Sequence, residues 1–285
     1  MNADASSSDR GFSLYWGIDG RDDIEDYRRL IADARANRVA GVIFTNAVFP
    51  LARASLLEES PVPMVAIQTR PADADVDALC GHMPSVYPDG RAFFEEAMRH
   101  LHGQQRRRVA VLANGLSESM QSSIMREAQA SGLDCPSRYV QCPSLHNPQA
   151  VRNALELIFS SDTRPDALIL ADDHLVPDAT RVLADVSIRI PDDLDVVAHC
   201  NSPAFTESFV PVTRLGFAAC DVLAACVDAI DLQRRGEKPE PMRWISPRFF
   251  DDQRAMPPLH VAFPSTVGEA STHAGSLVSS FEPTR

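Results

Sequence analysis

The 285-residue chain predicts an α/β protein of two lobes, each built on a parallel sheet. Two observations carry this. Short buried apolar runs alternate with amphipathic helical stretches along most of the chain, as in successive βαβ units. The length also suits two compact lobes of roughly 100 to 150 residues each. The clearest such unit is 164–201, which reads as strand, helix, strand. Arg164-Pro165-Asp166 launches the apolar run Ala167 to Ala171, and Asp172-Asp173-His174 follows where that strand ends. Leu175, Ala179, Val182, Leu183 and Val186 recur at helical spacing. Ile190-Pro191-Asp192-Asp193 then starts a second buried strand, Leu194 to Ala198, closed by His199-Cys200-Asn201.

The remaining elements follow in order. Phe12 to Gly17 reads as a strand. Asp22 to Asn37 reads as an amphipathic helix with Ile24, Tyr27, Leu30, Ile31 and Ala34 on one face. Gly41 to Thr45 and Val62 to Ile67 are buried strands around a helix at Leu51 to Glu59. A second lobe is expected from Asp89-Gly90 onward. Its helices are Arg91 to His102, Ser117 to Ser131 and Pro148 to Ser160, and its strands are Arg107 to Ala113 and Tyr139 to Cys142. After 164–201, Pro203 to Val210 is a loop, and Val212 to Leu215 is a short strand returning toward the first lobe. Ala218 to Arg235 is a long helix stopped by Gly236-Glu237-Lys238-Pro239. Trp244-Ile245 and Phe249-Phe250 supply the last apolar segment. The expected division is a disordered leader at 1–11, a first lobe of 12–88 and 216–240, a second lobe of 89–215 and 241–255, and a disordered tail at 256–285.

Bulk composition excludes several classes. Hydrophobic content of 45% and charged content of 23% are those of an ordinary globular protein. A net charge of -12 does not suit unaided polyanion binding, which rests on lysine and arginine contacts to phosphate. The six cysteines contain no C-x-x-C pair and no zinc spacing with histidine, so a reduced, cytoplasmic protein is expected. Met1 to Arg10 lacks the basic flank and apolar core of a secretion signal. No apolar run approaches the ~20 residues that span a bilayer.

In open parallel sheets, ligands sit outside the carboxyl ends of the strands, which makes the two polar clusters of 164–201 candidate ligand contacts. Asp172 and Asp173 suit helix capping and effector hydrogen bonding, two roles that are compatible. Asp178 lies close enough in sequence to raise a metal or carboxylate-pair reading, but no nucleophile or base motif accompanies it. His199 and Asn201 are read either as ligand contacts or as members of a hydrogen-bond network. Cys200 and His199, as strand neighbours, point to opposite faces, which disfavours a catalytic pair. Trp16 is either a stacking platform at a strand end or a core aromatic, and Phe49 shares that ambiguity. Asp89 is either a hinge contact or a turn residue with Gly90. No catalytic residue, metal site or cofactor is expected.

The same stretch resembles the LacI/GalR family of regulators and the periplasmic sugar-binding proteins that share their fold. These show R-P-D-A-I, N-D-x-x-A and G-I-x-I-P-x-D-(I/L)-x-V-V-G-F-D-D. Arg164 to Leu168, Asp173, Ile188, Ile190, Pro191, Asp193, Leu194, Val196 and Val197 match that pattern. Ala97 to Leu101 with Arg106 to Leu112 resembles A-x-x-H-L…G-H-R-R-I-A-x-I, Ser131-Gly132-Leu133 the end of the next helix, and Pro211-Val212-Thr213 the P-x-(L/V)-T element. Val39 to Phe44 resembles V-D-G-I-I. The resemblance covers about residues 12 to 250. It implies two Rossmann-like lobes joined by three crossovers, of the periplasmic-binding-protein-like type I. It further implies a sugar or related metabolite as effector, a homodimer, and DNA contact through an N-terminal helix-turn-helix. No such head and no first β-α unit precedes Phe12, so the first lobe is expected to be incomplete. Two departures concern ligand chemistry. His199-Cys200-Asn201 stands where the family has F-D-D, and Met120 occupies the position of an effector-pairing arginine, with Ser123 at the accompanying glycine. A competing reading is a stand-alone solute-binding or protein-interaction module without DNA-binding function.

Overall fold

The computed structural model describes residues 11–13, 15, 25–45, 62–68, 83–145, 147–160, 163–186 and 188–251. The unit Tyr15–Pro257 contains both sheets. The expected helix at 51–59, Trp16, Phe49 and the tail beyond Asp251 lie outside the described residues.

The first sheet has the strand order β1 (Val42–Phe44), β2 (Met64–Ile67), β3 (Ser85–Pro88), β9 (Met242–Ile245), all parallel. Helix α1 (Glu25–Arg35) packs Leu30 and Ala34 against Val42, Phe44 and Ala66. Helix α6 (Ala219–Arg234) packs Val222, Ala225, Cys226, Ala229 and Ile230 against Val65 and Val86. Strands covered by helices on both sides are apolar throughout, and this explains the V-I-F and M-V-A-I runs. Gly41 leaves room for α6, because a Cβ there would meet Ile230 atoms at 2.5 to 2.9 Å.

The second sheet has the order β10 (Arg248–Phe250), β8 (Thr213–Ala218), β7 (Asp195–Ser202), β6 (Ala167–Leu170), β4 (Val109–Leu112), β5 (Val140–Gln141). It is parallel except for β10, which runs antiparallel to β8. Its helices are α2 (Gly90–Gly103), α3 (Glu118–Ala130), α4 (Pro148–Phe159) and α5 (Val176–Asp185). The chain moves outward from β4 to β5 through α3, then back past β4 to β6 and on to β7 through α4 and α5. Right-handed crossovers therefore put α3 on one face and α4 and α5 on the other. Their buried faces close one core with the strands, including Phe93, Leu101, Ile124, Leu155, Ile158, Val176 and Leu183. Three of these helices open on side-chain caps: Asp89 accepts from Ala92 N–H, Ser117 from Met120 N–H and Asn147 from Gln149 N–H, while Asp172 caps the 3₁₀ turn Asp173–Leu175 ahead of α5.

The amino ends of the central strands are latched. The Asp166 carboxylate accepts from Arg107 N–H at 3.0 Å and Arg108 N–H at 2.7 Å, and Arg106 donates to the carbonyls of Pro191 and Asp192. The family-like R-P-D and I-P-D-D segments thus act at the end of the sheet opposite the candidate ligand contacts.

The structure corrects four expectations. Of the strand expected at Phe12 to Gly17, the described residues Phe12, Ser13 and Tyr15 are not in a strand, and Tyr15 instead donates its hydroxyl to Asp33 of α1 at 2.6 Å. Strand β7 does not end at Ala198. It continues to Ser202 because β8 pairs with it from Val197 to Ser202. Strand β8 runs past Leu215 to Ala218, so 216–218, expected in the first lobe, lie in the second sheet. Residues 242–245, expected in the second lobe, pair with β3 in the first sheet, and only β10 lies in the second. The short strand β3 has no counterpart in the sequence reading.

The chain crosses between sheets three times, between β3 and α2, between β8 and α6, and between β9 and β10.

Candidate functional site

Strands β4 and β6 are neighbours whose following connections leave in opposite directions, so a topological switch point lies between their carboxyl ends. The turn after β6 holds the first polar cluster. Asp172 Oδ1 accepts from His174 N–H at 2.9 Å and lies 3.0 Å from His174 Nδ1, while Asp173 Oδ1 is 3.1 Å from the same nitrogen. Asp173 Oδ2 accepts from Asn201 Nδ2 at 2.8 Å, which ties the β6 turn to the far end of β7. Because Asn201 gives its amide N–H to a carboxylate, its side-chain oxygen is left to accept from another group.

His199 lies two residues earlier on the same face of β7. Its ring meets Phe93 of α2 edge-on at 5.3 Å and Phe217 of β8 at 5.7 Å. Its Nδ1 is buried without a hydrogen-bond partner among the described residues. Burial lowers its pKa below the usual imidazole value, partly opposed by the carboxylates of Asp173 and Asp172. His174 goes the other way, raised by its hydrogen bond to Asp172 and the charge of Asp173. The two surroundings thus push in opposite directions, burial favouring the neutral form of His199 and the neighbouring carboxylates the cationic form of His174.

Asp172, Asp173, His199 and Asn201 therefore form one group. Asp172 is both a cap, as the sequence suggested, and a member of this group. Asp89 stands apart from it, at the crossing into α2. Its carboxylate caps the helix, its N–H donates to Ile245 C=O at 2.9 Å, and its C=O accepts from Phe93 N–H at 3.0 Å. Cys200 is fully buried on the opposite face of β7 from His199. Met120 sits in the first turn of α3, its N–H bonded to Ser117 Oγ at 3.2 Å. One atom each from Asp172, Asp173 and His174 lies within 4.8 Å of the others, a spacing open to a cation, but His174 is largely exposed and the three groups already bond one another.

Phe93 and Phe217, whose rings flank His199, were not singled out from the sequence. Both are almost fully buried, and an aromatic residue in an apolar helix face or strand carries no local mark that separates it from core. The one signal was their position beside element ends at the crossings.

Residues 98–250 match the family of the periplasmic binding protein-like domain. Among curated proteins, the chain is 26% identical over 235 residues to the HTH-type transcriptional repressor PurR of Klebsiella pneumoniae (strain 342), covering 78% of this chain and 66% of that protein, just under two thirds of its length. A crystal structure of a regulatory protein of LacI family from Chloroflexus aggregans superposes with a TM-score of 0.62 at 21% identity, covering 80% of this chain and 79% of that one. A LacI family transcriptional regulator from Bifidobacterium animalis subsp. lactis DSM 10140 gives 0.59 at 17% identity, with 81% and 83% covered. The complex of the transcriptional regulator CelR with cellobiose gives 0.56 at 22% identity, with 79% and 69% covered. At these identities the structural matches speak to the fold.

Proposed function

The chain belongs to the periplasmic binding protein-like domain family, and on that premise we propose that it is the ligand-sensing domain of a LacI/GalR-type transcriptional regulator. A small sugar-like metabolite binds at the carboxyl ends of β6 and β7. Asp173 and Asn201 contact the effector directly, Asp172 and His199 flank it, Asp89 remains a candidate at the crossing into α2, and Trp16 remains a candidate from the sequence alone. The observation that carries this reading is the bond between Asp173 and Asn201. It joins two strand-end residues beside the topological switch point, where a fold of this kind leaves polar groups for a ligand. Acceptors dominate the group, which suits a ligand that presents hydroxyl donors.

Such a domain acts by differential affinity. An effector that binds one arrangement of the lobes better than another shifts the population toward it, and a DNA-binding head read by a homodimer responds to that shift. The dimer and the DNA partner are part of the same proposal. So is the absence of enzymatic activity, supported by the displacement of Cys200 from the polar group.

Thermal-shift screening of the full chain against neutral sugars and nucleosides tests the reading. A ligand at 100 times its Kd raises native-state stability by about 2.7 kcal/mol, which is a readily measured shift. The shift should disappear in Asp173→Ala and Asn201→Ala. No shift with any ligand, or a shift unchanged in both variants, overturns the proposal. Sedimentation of the same protein tests the homodimer.

A further inference from the structure

One side chain of the site is linked to all three crossings between the lobes. The His199 ring meets Phe93 at 5.3 Å, and Phe93 lies in the first turn of α2, directly after the first crossing. Phe93 N–H donates to Asp89 C=O at 3.0 Å, and Asp89 N–H donates to Ile245 C=O at 2.9 Å, where β9 ends at the third crossing. On its other side His199 meets Phe217 at 5.7 Å, and the next residue, Ala218, ends β8 at the second crossing. Phe93 is 2% exposed and Phe217 6% exposed, so neither ring has space to move without the backbone that carries it. His199 itself is less constrained. Its buried Nδ1 has no hydrogen-bond partner among the described residues, so packing against two phenyl rings sets its orientation.

We propose that His199 couples the site to the hinge: a new hydrogen bond or charge at its ring repositions Phe93 and Phe217, and through them the three crossings. The proposal rests on the sensor reading of the same site. The groups that face His199 define the direction of the effect. From the β6 turn these are the carboxylates of Asp172 and Asp173, with His174 bonded to both. From α2 the facing residue is Phe93, with Asp89 at the helix cap, and from β8 it is Phe217. A ring that gains positive charge is drawn toward the carboxylates and meets the phenyl rings as a cation, so its balance between them changes, whereas a neutral ring keeps the packing seen here. A ligand that hydrogen-bonds the ring acts on the same element.

The proton serves as a probe whose identity is known. In the full ¹⁵N-labelled chain carrying His174→Asn, which removes the neighbouring titrating ring, the His199 ring and the amides of Asp89 and Ala219 are followed by NMR from pH 7.5 to 5.0. Both amides should shift with the midpoint of the His199 ring, below the ordinary imidazole value, and both shifts should vanish when His199→Phe is added. In Phe93→Leu the Asp89 shift should be lost while His199 still titrates and Ala219 still responds. Should Phe93→Leu fail to fold, Phe93→Met provides the same comparison. The coupling is refuted if the amides do not follow His199, or if Asp89 responds equally in the Phe93 variant. Its failure is separable from failure of the sensor reading: proton coupling without any ligand in the thermal-shift screen retains the hinge and rejects the sensor, and a bound ligand without proton coupling does the reverse.

Discussion

Gly216 is the residue on which the geometry of the site depends most directly. It stands opposite Cys200 in the parallel register of β7 and β8, between the positions of His199 and Asn201. A Cβ at this position would overlap the carbonyl oxygen of Cys200 and lie 2.8 Å from its carbonyl carbon and its amide nitrogen. All three atoms are backbone, so no change of rotamer relieves the clash, and the two central strands must separate. Disturbing about three ladder hydrogen bonds at 0.5 to 1.5 kcal/mol net each, with a further 1 to 3 kcal/mol of overpacking strain, gives a loss of about 4 kcal/mol for Gly216→Ala. For a protein of this size that corresponds to a fall in Tm of roughly 8 to 16 °C. Gly90 is the control, because its Cβ would meet nothing within 4 Å and it occupies the first turn of α2. Gly90→Ala should be neutral or stabilising by up to about 1 kcal/mol. Urea unfolding followed by far-UV circular dichroism, together with calorimetry, measures both. A loss below about 1 kcal/mol for Gly216→Ala would refute the argument that this close approach fixes the strand pair.

Other expectations concern the latch, the histidines and the thiols. Asp166→Ala removes the acceptor of two backbone N–H groups, the half-buried one at 2.7 Å, and should cost about 2 kcal/mol in urea unfolding; a value near zero would mean that water replaces the carboxylate fully. His174 has a raised folded pKa, so its contribution is complete below the unfolded value near 6.5 and is lost as pH rises through the folded pKa. His199 has a lowered folded pKa, so stability is present above about 6.5 and falls as pH drops toward the folded value. The two slopes oppose each other: His174→Asn should steepen the rise of stability with pH measured from pH 5 to 8 and His199→Phe should flatten it, and identical slopes in both variants would contradict the assignment. Burial pushes the thiols of Cys135 and Cys226 up to about 12, whereas Cys142 and Cys220 are exposed. Iodoacetamide at pH 8 should therefore modify Cys142 and Cys220 in the native protein, with Cys135 and Cys226 reacting only after unfolding, as read by peptide mass spectrometry.

Much of the second lobe was legible because its elements announce themselves locally. The helices α2 to α5 carry periodic apolar faces, and the starts of α2 to α4 are marked by the caps Asp89, Ser117 and Asn147, while Asp172 caps the 3₁₀ turn ahead of α5. Asp172, Asp173 and Asn201 were legible as site candidates for a related reason, since each follows or closes an apolar strand pattern. Strand β3 was not legible. Four residues, S-V-Y-P, ending in proline give neither a period nor a long apolar run, and the strand exists because β2 and β9 pair with it on both sides. The same holds for β9 and β10: two adjacent apolar pairs look like one segment in sequence, yet they pair into different sheets. The full length of β7 was not legible, because hydropathy ends at Ala198 whereas strand pairing with β8 continues to Ser202.

The sequence by itself determined the type of most elements, the direction of their buried faces and the end of the sheet where polar groups collect, because each of these depends on side chains within a few residues of one another. Only the tertiary structure decided which strands became neighbours, that Asn201 binds Asp173, and that His199 lies between Phe93 and Phe217. Those contacts join residues far apart in the chain. Their existence depends on the closure of long loops and the packing of whole faces, and no local pattern encodes which buried aromatic ring will meet which strand-end histidine.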